Sequence, residues 1–154
     1  MPLFGRYDKM ESLLKSGVLY GYQRDSQNRP MIYYSIKRAI DLGMSESAQL
    51  DTLDFIASYT IQHAMVPGKV ETYNFVIDLA GVSLMESPIN MLRGMANRLR
   101  IGYKLRVHNI IIINADWKIT FACNFVWKLL DQHLTDKIKV FSDNGASYLT
   151  KIAS

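Results

Sequence analysis

The chain has 154 residues, 49% hydrophobic and 21% charged, which is enough for one globular domain with a substantial core. No apolar run reaches the ~20 residues of a membrane-spanning helix, and the N-terminus lacks the pattern of a signal peptide. The single cysteine, Cys123, excludes an internal disulfide and suits a reducing compartment, and the net charge of +4 mildly favours anionic partners. We therefore expect a single cytoplasmic domain over residues 1–154.

Apolar periodicity and turn residues predict strands that alternate with helices. In chain order these are a helix over 5–15, strands over 18–24 and 31–36, a helix over 47–65 with Ser47 as N-cap, a strand over 72–79, a helix from about Ser87 to Arg100, a strand over 109–114, a helix over 118–131, a strand over 137–141 and a helix over 146–153. This alternation predicts an α/β sheet with right-handed crossovers and helices on its faces.

Motifs for nucleotide binding and catalysis are absent from the sequence, which contains no G-x-G-x-x-G, no G-x-x-x-x-G-K-[ST] and no G-x-S-x-G. His63, His108 and His133 are widely spaced and form no H-x-x-x-H metal pair. Asp78 ends a predicted strand, where a catalytic carboxylate often lies, but a carboxylate that caps the following loop is the simpler interpretation. We expect no enzyme activity, metal or cofactor. A hydrolase or phosphatase acting through Asp78 is the least favoured hypothesis for the function.

A basic stretch lies between Arg93 and Arg106, with no acidic residue inside it. Arg93, Arg98 and Arg100 are candidate contacts for anionic lipid headgroups, where each cation contributes about 1 kcal/mol. A solvated surface is the alternative. Nucleic acid is not an expected partner, because the stretch does not alternate cations with aromatic residues that would stack on bases.

The segment over 118–131 is apolar around most of its circumference. Its polar residues Thr120, Asn124 and Lys128 are spaced by four and span about 80° of the helical wheel. One interpretation is a helix buried between the sheet and another element, or at a dimer interface. The other is a lid with one face toward a lipid cavity and one toward a membrane. Periodicity does not decide between them.

Four stretches, in this order and at this spacing, resemble the CRAL-TRIO lipid-binding domain: "DSQNRPMIYY", "FVIDLAGVSL", "IIIINADW" and "LLDQHLTDKIKVF". The likeness extends from about Leu14 to the C-terminus, although Asp116 stands where the family usually has proline. It implies a mixed, mostly parallel sheet and a mobile gate helix over a hydrophobic cavity, and we expect a member without the family's N-terminal helical domain. Phosphatidylinositol/phosphatidylcholine transfer proteins belong to this family.

The resemblance implies a non-enzymatic protein that binds a phospholipid or other hydrophobic ligand and transfers it between membranes. A protein-interaction module on the same fold, with a collapsed cavity, is the alternative. The expected cavity lining is Tyr73, Phe75, Ile77, Ile110 and Ile112 from strands, with Ile119, Cys123, Val126 and Leu130 from the gate helix. The expected membrane contacts are Trp117, Phe121 and Phe125 with the three arginines. Transient membrane contact and a homodimer are the expected associations.

The sequence departs from the family at the residues that recognise a headgroup. Phosphatidylinositol binders use a Glu before the fourth strand, and a Thr and a Lys after the gate helix. The corresponding residues here are Leu105, Leu134 and Lys137, so only Lys137 is a headgroup candidate. Tyr73 and Phe75 stand where the family has small hydroxyl residues. We therefore expect a different or less polar ligand than phosphatidylinositol, or none.

Overall fold

A computed structural model describes residues 11–86, 88–103, 105–128 and 132–154 of the chain. Its five strands form one sheet in the order β1-β2-β3-β4-β5. The strands are β1 Leu19–Arg24, β2 Pro30–Ser35, β3 Tyr73–Asp78, β4 Val107–Ile113 and β5 Ile138–Val140. β1 is antiparallel to β2, and the other neighbouring pairs are parallel. The predicted mixed, mostly parallel α/β sheet is therefore confirmed.

Six α-helices lie among the described residues outside the N-terminal helical segment 11–16. They are α1 Ile36–Asp41, α2 Glu46–His63, α3 Pro88–Tyr103, α4 Trp117–Trp127, α5 Gln132–Thr135 and α6 Ala146–Ala153, with a 3-10 helix at Leu84–Glu86. Within the part of the chain that the structure describes, no helix is both long and apolar enough to cross a membrane. The predicted first helix over 5–15 lies partly outside the described residues.

The two faces of the sheet are covered unequally. Alternate strand residues such as Phe75 and Ile110 share one large core with buried residues of α1 through α5. The opposite face carries a smaller cluster of Met31, Val76 and Ile111, which packs against α6. Because strands that follow one another in sequence are neighbours in the sheet, their crossovers stack on one side. The layer between the sheet and α4 therefore belongs to the main core.

Several predicted boundaries were wrong, and local capping explains two of them. The N-cap of α2 is Ser45 rather than Ser47, because the Ser45 hydroxyl accepts a hydrogen bond from the Ala48 amide at 3.2 Å. Ile36 starts α1 instead of ending a strand, because the Ser35 side chain caps that helix. The described part of α4 ends at Trp127, and residues 129–131 and Ser87 lie outside the described residues.

The turn between β1 and β2 is held by the buried carboxylate of Asp25. It accepts hydrogen bonds from the amides of Gln27 and Arg29, each at 2.9 Å, from the Arg29 guanidinium at 3.0 Å and from the Asn74 side chain at 2.9 Å. Burial alone would raise the pKa of Asp25, but these hydrogen bonds together lower the pKa below its ordinary value. Asn28 takes the left-handed conformation (φ 64°), which asparagine adopts more readily than most residues. The turn motif thus ties the hairpin to β3.

Candidate ligand groove beside helix α4

The start of α4 is fixed to the ends of two parallel strands. The Ala115 amide donates to the Phe141 carbonyl oxygen at 3.1 Å, which joins the segment after β4 to the segment after β5. Asp116 then caps the helix, since its carboxylate accepts a hydrogen bond from the Ile119 amide at 2.8 Å. An Asp three residues before an apolar helical residue is a sequence signal for such a cap, which sequence reasoning missed. At the other end, the Thr135 hydroxyl donates to the Trp127 carbonyl oxygen at 3.3 Å.

One face of α4 points into the main core. Ile119, Cys123 and Trp127 lie on this face and are 0%, 1% and 6% exposed. Burial raises the pKa of the Cys123 thiol to about 11, so the thiol is neutral at physiological pH. This face packs α4 onto the core as a hydrophobic cover.

A second face of α4 presents three aromatic rings to solvent. Trp117, Phe121 and Phe125 recur at intervals of four residues and are 74%, 77% and 68% exposed. The ammonium group of Lys118 lies 5.7 Å from the Trp117 ring centroid. Three neighbouring exposed rings form an apolar patch of the kind that marks an interaction site. We call this patch the aromatic stripe.

The polar residues of α4 line a groove between this helix and β5. The groove has a volume of about 640 Å³. Its lining consists of Thr120, Asn124, Trp127 and Lys128 from α4 and the residue after it, Thr135 from α5, and Ile138 and Val140 from β5. We call it the α4–β5 groove. The polar stripe seen in the sequence therefore faces a concave surface with an apolar floor.

The predicted lining residues of the sheet lie in the packed layer of the main core between the sheet and the helices. They are at most 3% exposed: Tyr73, Phe75, Ile77, Ile110 and Ile112. The register places Phe75 opposite Ile110 and Ile77 opposite Ile112, so these side chains share the face covered by helices. In this structure they belong to the core and do not line the α4–β5 groove. Their role as cavity lining stays a prediction, and the side chain of Val126 and all of Leu130 lie outside the described residues.

Two polar atoms in this layer have no hydrogen-bond partner among the described residues. They are the Tyr73 hydroxyl and the Trp127 indole nitrogen, both fully buried. Each unsatisfied group costs about 1–3 kcal/mol. Burial also raises the pKa of Tyr73 far above its ordinary value, so the phenol keeps its proton. Both groups are donors that the closed core leaves without a partner among the described residues.

The cationic candidates are spread over the molecule. The Lys137 ammonium group donates to the Val107 carbonyl oxygen at 2.8 Å, and the lysine does not line the α4–β5 groove. Arg98 forms an ion pair with Asp54. Arg100 donates to the Asn97 side chain at 3.0 Å, and Arg93 is exposed. The structure thus gives Arg98 and Arg100 intramolecular partners, and the membrane roles of the three arginines stay predictions.

A second groove, missed by sequence reasoning, lies between β1 and α2. It has a volume of about 650 Å³, and apolar residues dominate its lining, with Glu11 and Arg24 as the charged members. Tyr22 and Tyr59 line it and are 57% and 50% exposed. The register of β1 against β2 shifts before Arg24, an irregularity that an alternating pattern does not reveal. We call this concavity the β1–α2 groove.

Asp78 has the structural role that the sequence favoured. One of its carboxylate oxygens accepts hydrogen bonds from the Ala80 amide at 2.9 Å and from the Asn114 side chain at 2.7 Å. These bonds cap the loop after β3 and link it to the end of β4.

The chain forms an α/β domain in which the amphipathic helix α4 helps to cover the sheet and has a groove beside it. The model of the CRAL/TRIO domain family matches residues 14–153, and the chain belongs to that family, whose members bind lipophilic ligands. Among solved structures, the crystal structure of Sfh5 is similar with a TM-score of 0.60 and 15% identity. The match covers 87% of this chain and 49% of that one, so this chain spans about half the length of Sfh5. A comparison with curated proteins finds no match.

Proposed function

We propose that this domain binds a hydrophobic ligand and exchanges it with membranes, with α4 as the movable gate. It acts in the cytoplasm, on the surface of a membrane. The observation that carries the proposal is the division of α4 into a buried apolar face, an exposed aromatic stripe and a polar face along a groove. A helix that only covers a core needs the first of these faces and not the second. Membership of a lipid-binding family supports the same reading.

The aromatic stripe is suited to the interface of a bilayer. Aromatic rings partition into the boundary between headgroups and acyl chains, where an amphipathic helix lies in the membrane plane. Lys118 and Lys128 are exposed close to the stripe, and each would contribute about 1 kcal/mol near anionic headgroups. A second copy of the chain is the alternative partner for the aromatic stripe. Sedimentation of the purified protein as a monomer at the concentrations used for vesicle binding would argue against dimerisation through the stripe.

Membrane contact would also favour movement of α4. Lifting the helix exposes Ile119, Cys123 and Trp127, at about 1.5–3 kcal/mol for a large apolar side chain. That cost keeps the gate closed in water. Insertion of the aromatic stripe into a bilayer offsets the cost, so we expect opening to depend on membranes.

The proposal is tested by two measurements on the purified chain. Organic extraction followed by mass spectrometry should identify a bound lipid at a stoichiometry close to one. The protein should also accelerate the transfer of a fluorescent lipid between donor and acceptor vesicles. Phe121→Ser should slow this transfer, whereas Tyr59→Ser, which changes an exposed aromatic residue of α2, should not. A protein that carries no lipid and transfers none would refute the proposal.

A protein-interaction module is the second candidate, and one observation favours it. Tyr73 and Phe75 are 0% exposed and packed in the main core, while the β1–α2 groove presents exposed tyrosines at the sheet edge. This function predicts that a photo-crosslinker at position 59 captures one defined partner and that Tyr22→Glu abolishes the capture. In that case neither the wild-type protein nor the Tyr22→Glu variant would contain bound lipid.

A further inference from the structure

We infer that the α4–β5 groove binds a single-chain amphiphile with an anionic headgroup, such as a long-chain carboxylate, and not a diacyl phospholipid. The inference rests on the proposed function and adds the class of ligand. The inference is argued from the residues that line the groove. Neither Lys137 nor the strand residues that the sequence predicted as cavity lining are among them.

The first argument is the size of the groove. A water molecule occupies about 30 Å³ of liquid, and a methylene group is of similar size, so 640 Å³ holds about 20 non-hydrogen atoms. A carboxylic acid with one chain of about 18 carbons has that size. The two chains of a phospholipid contain about thirty methylene groups before the headgroup is counted, which exceeds the volume of the groove.

The second argument is the chemistry of the groove lining. Ile138 and Val140 provide an apolar floor for a hydrocarbon chain. The hydroxyl groups of Thr120 and Thr135 already donate to the carbonyl oxygens of Ala115 and Trp127, at 3.3 Å each. Ile138 and Val140 make the lining apolar along β5, whereas Thr120, Asn124 and Lys128 make it polar along α4. This division matches a molecule with one apolar and one polar part.

The third argument is an excess of hydrogen-bond donors on the α4 side. Lys128 is the only charged side chain among the described residues that line the groove, and it is a cation. The side-chain amide of Asn124 offers a further donor. A carboxylate is purely an acceptor and complements these donors, whereas a neutral hydrocarbon would leave them unpaired. The β1–α2 groove contains both Glu11 and Arg24 and has no such preference.

The test uses cis-parinaric acid, a fluorescent 18-carbon carboxylic acid, and its methyl ester as the matched neutral probe. The acid should bind at one molecule per chain and more tightly than the ester. Lys128→Ala should weaken acid binding about threefold at low salt, an effect that high salt removes, and should leave ester binding unchanged. Asn124→Leu should weaken acid binding about tenfold, since it removes a hydrogen bond to a charged group.

Trp117→Phe is the matched control, because Trp117 is exposed, does not line the groove and should not affect the affinity. In that variant Trp127 is the only remaining tryptophan of the two in the chain, so energy transfer to the bound probe reports its distance from Trp127. This measurement leaves the groove unchanged and stays valid if a substitution in the groove lining misfolds.

Three results would overturn the inference: equal affinity for the acid and the ester, no energy transfer from Trp127, or loss of acid binding on Tyr59→Glu in the β1–α2 groove. If the acid does not bind while a diacyl lipid is extracted and transferred, the ligand class is wrong and the proposed function stands. If neither the acid nor any lipid binds, the proposed function fails as well.

Discussion

Cys123 offers a direct measurement of gate opening, because it is the only cysteine and lies on the buried face of α4. In the closed protein its thiol is inaccessible, and a pKa of about 11 leaves little thiolate at pH 8. Opening exposes Ile119 and Trp127 with Cys123, at a total of about 5 kcal/mol. If α4 is the gate, then at 1.4 kcal/mol for each factor of ten, roughly one molecule in several thousand would be open in water.

Alkylation by iodoacetamide, followed by intact-protein mass, measures this population. The reference is Lys118→Cys in a Cys123→Ser background, which places the thiol at an exposed position of the same helix. Without vesicles, Cys123 should react at least about a thousandfold more slowly than the reference. Anionic vesicles should accelerate its reaction about 10- to 100-fold, since the aromatic stripe offsets part of the opening cost. A rate that vesicles leave unchanged, although the protein sediments with them, would refute membrane-coupled opening. A rate equal to the reference without vesicles would refute the closed gate.

Three further predictions concern single side chains. Phe121→Ala should weaken binding to anionic vesicles about 20-fold in a sedimentation assay. Roughly half of a ring area of about 150 Å² enters the bilayer, and at about 25 cal/mol per Å² this burial contributes about 1.9 kcal/mol to binding. Tyr59→Ala should have little effect. Asp25→Asn should lower the free energy of unfolding at pH 7 by about 3 kcal/mol. The native carboxylate has a lowered pKa, so the wild type should lose this advantage as the pH falls below about 3.8, and a difference constant with pH would contradict the assignment. Asp116→Ala should destabilise the start of α4 by about 1 kcal/mol and speed Cys123 alkylation, whereas Asp116→Asn should keep the cap and the slow rate.

The strands were predictable from the sequence because their signals are local. Alternation and apolar runs fix which residues face the helices, and the family motifs fix the order of the elements. Helix ends were less predictable. The segment "MSESAQL" has hydroxyl groups at Ser45 and Ser47, and both satisfy the preference for a cap. Only the chain direction after α1 places the Ser45 hydroxyl within reach of the Ala48 amide.

The candidate groove was less predictable, because its position depends on how α4 is rotated about its own axis. The sequence shows a polar stripe but does not indicate whether solvent, sheet or another helix faces it. That rotation is set by the burial of Ile119, Cys123 and Trp127 and by the bond from Ala115 to Phe141, which are contacts between distant parts of the chain. The spacing of polar residues along α4 therefore identified the lining of one wall only.

The bulky residues of β3 connect the departures from the family pattern with the proposed size of the ligand. Phe75 packs against Tyr34 with ring centroids 6.4 Å apart, and both rings are fully buried beneath the helices. Side chains of this size occupy volume that small hydroxyl residues would leave open to a ligand. The α4–β5 groove, at the side of α4, has a volume of about 640 Å³, and we propose that it binds a ligand with one chain. Tyr73 and Phe75, which stand where the family has small hydroxyl residues, thus support the smaller, single-chain ligand that we propose beside α4.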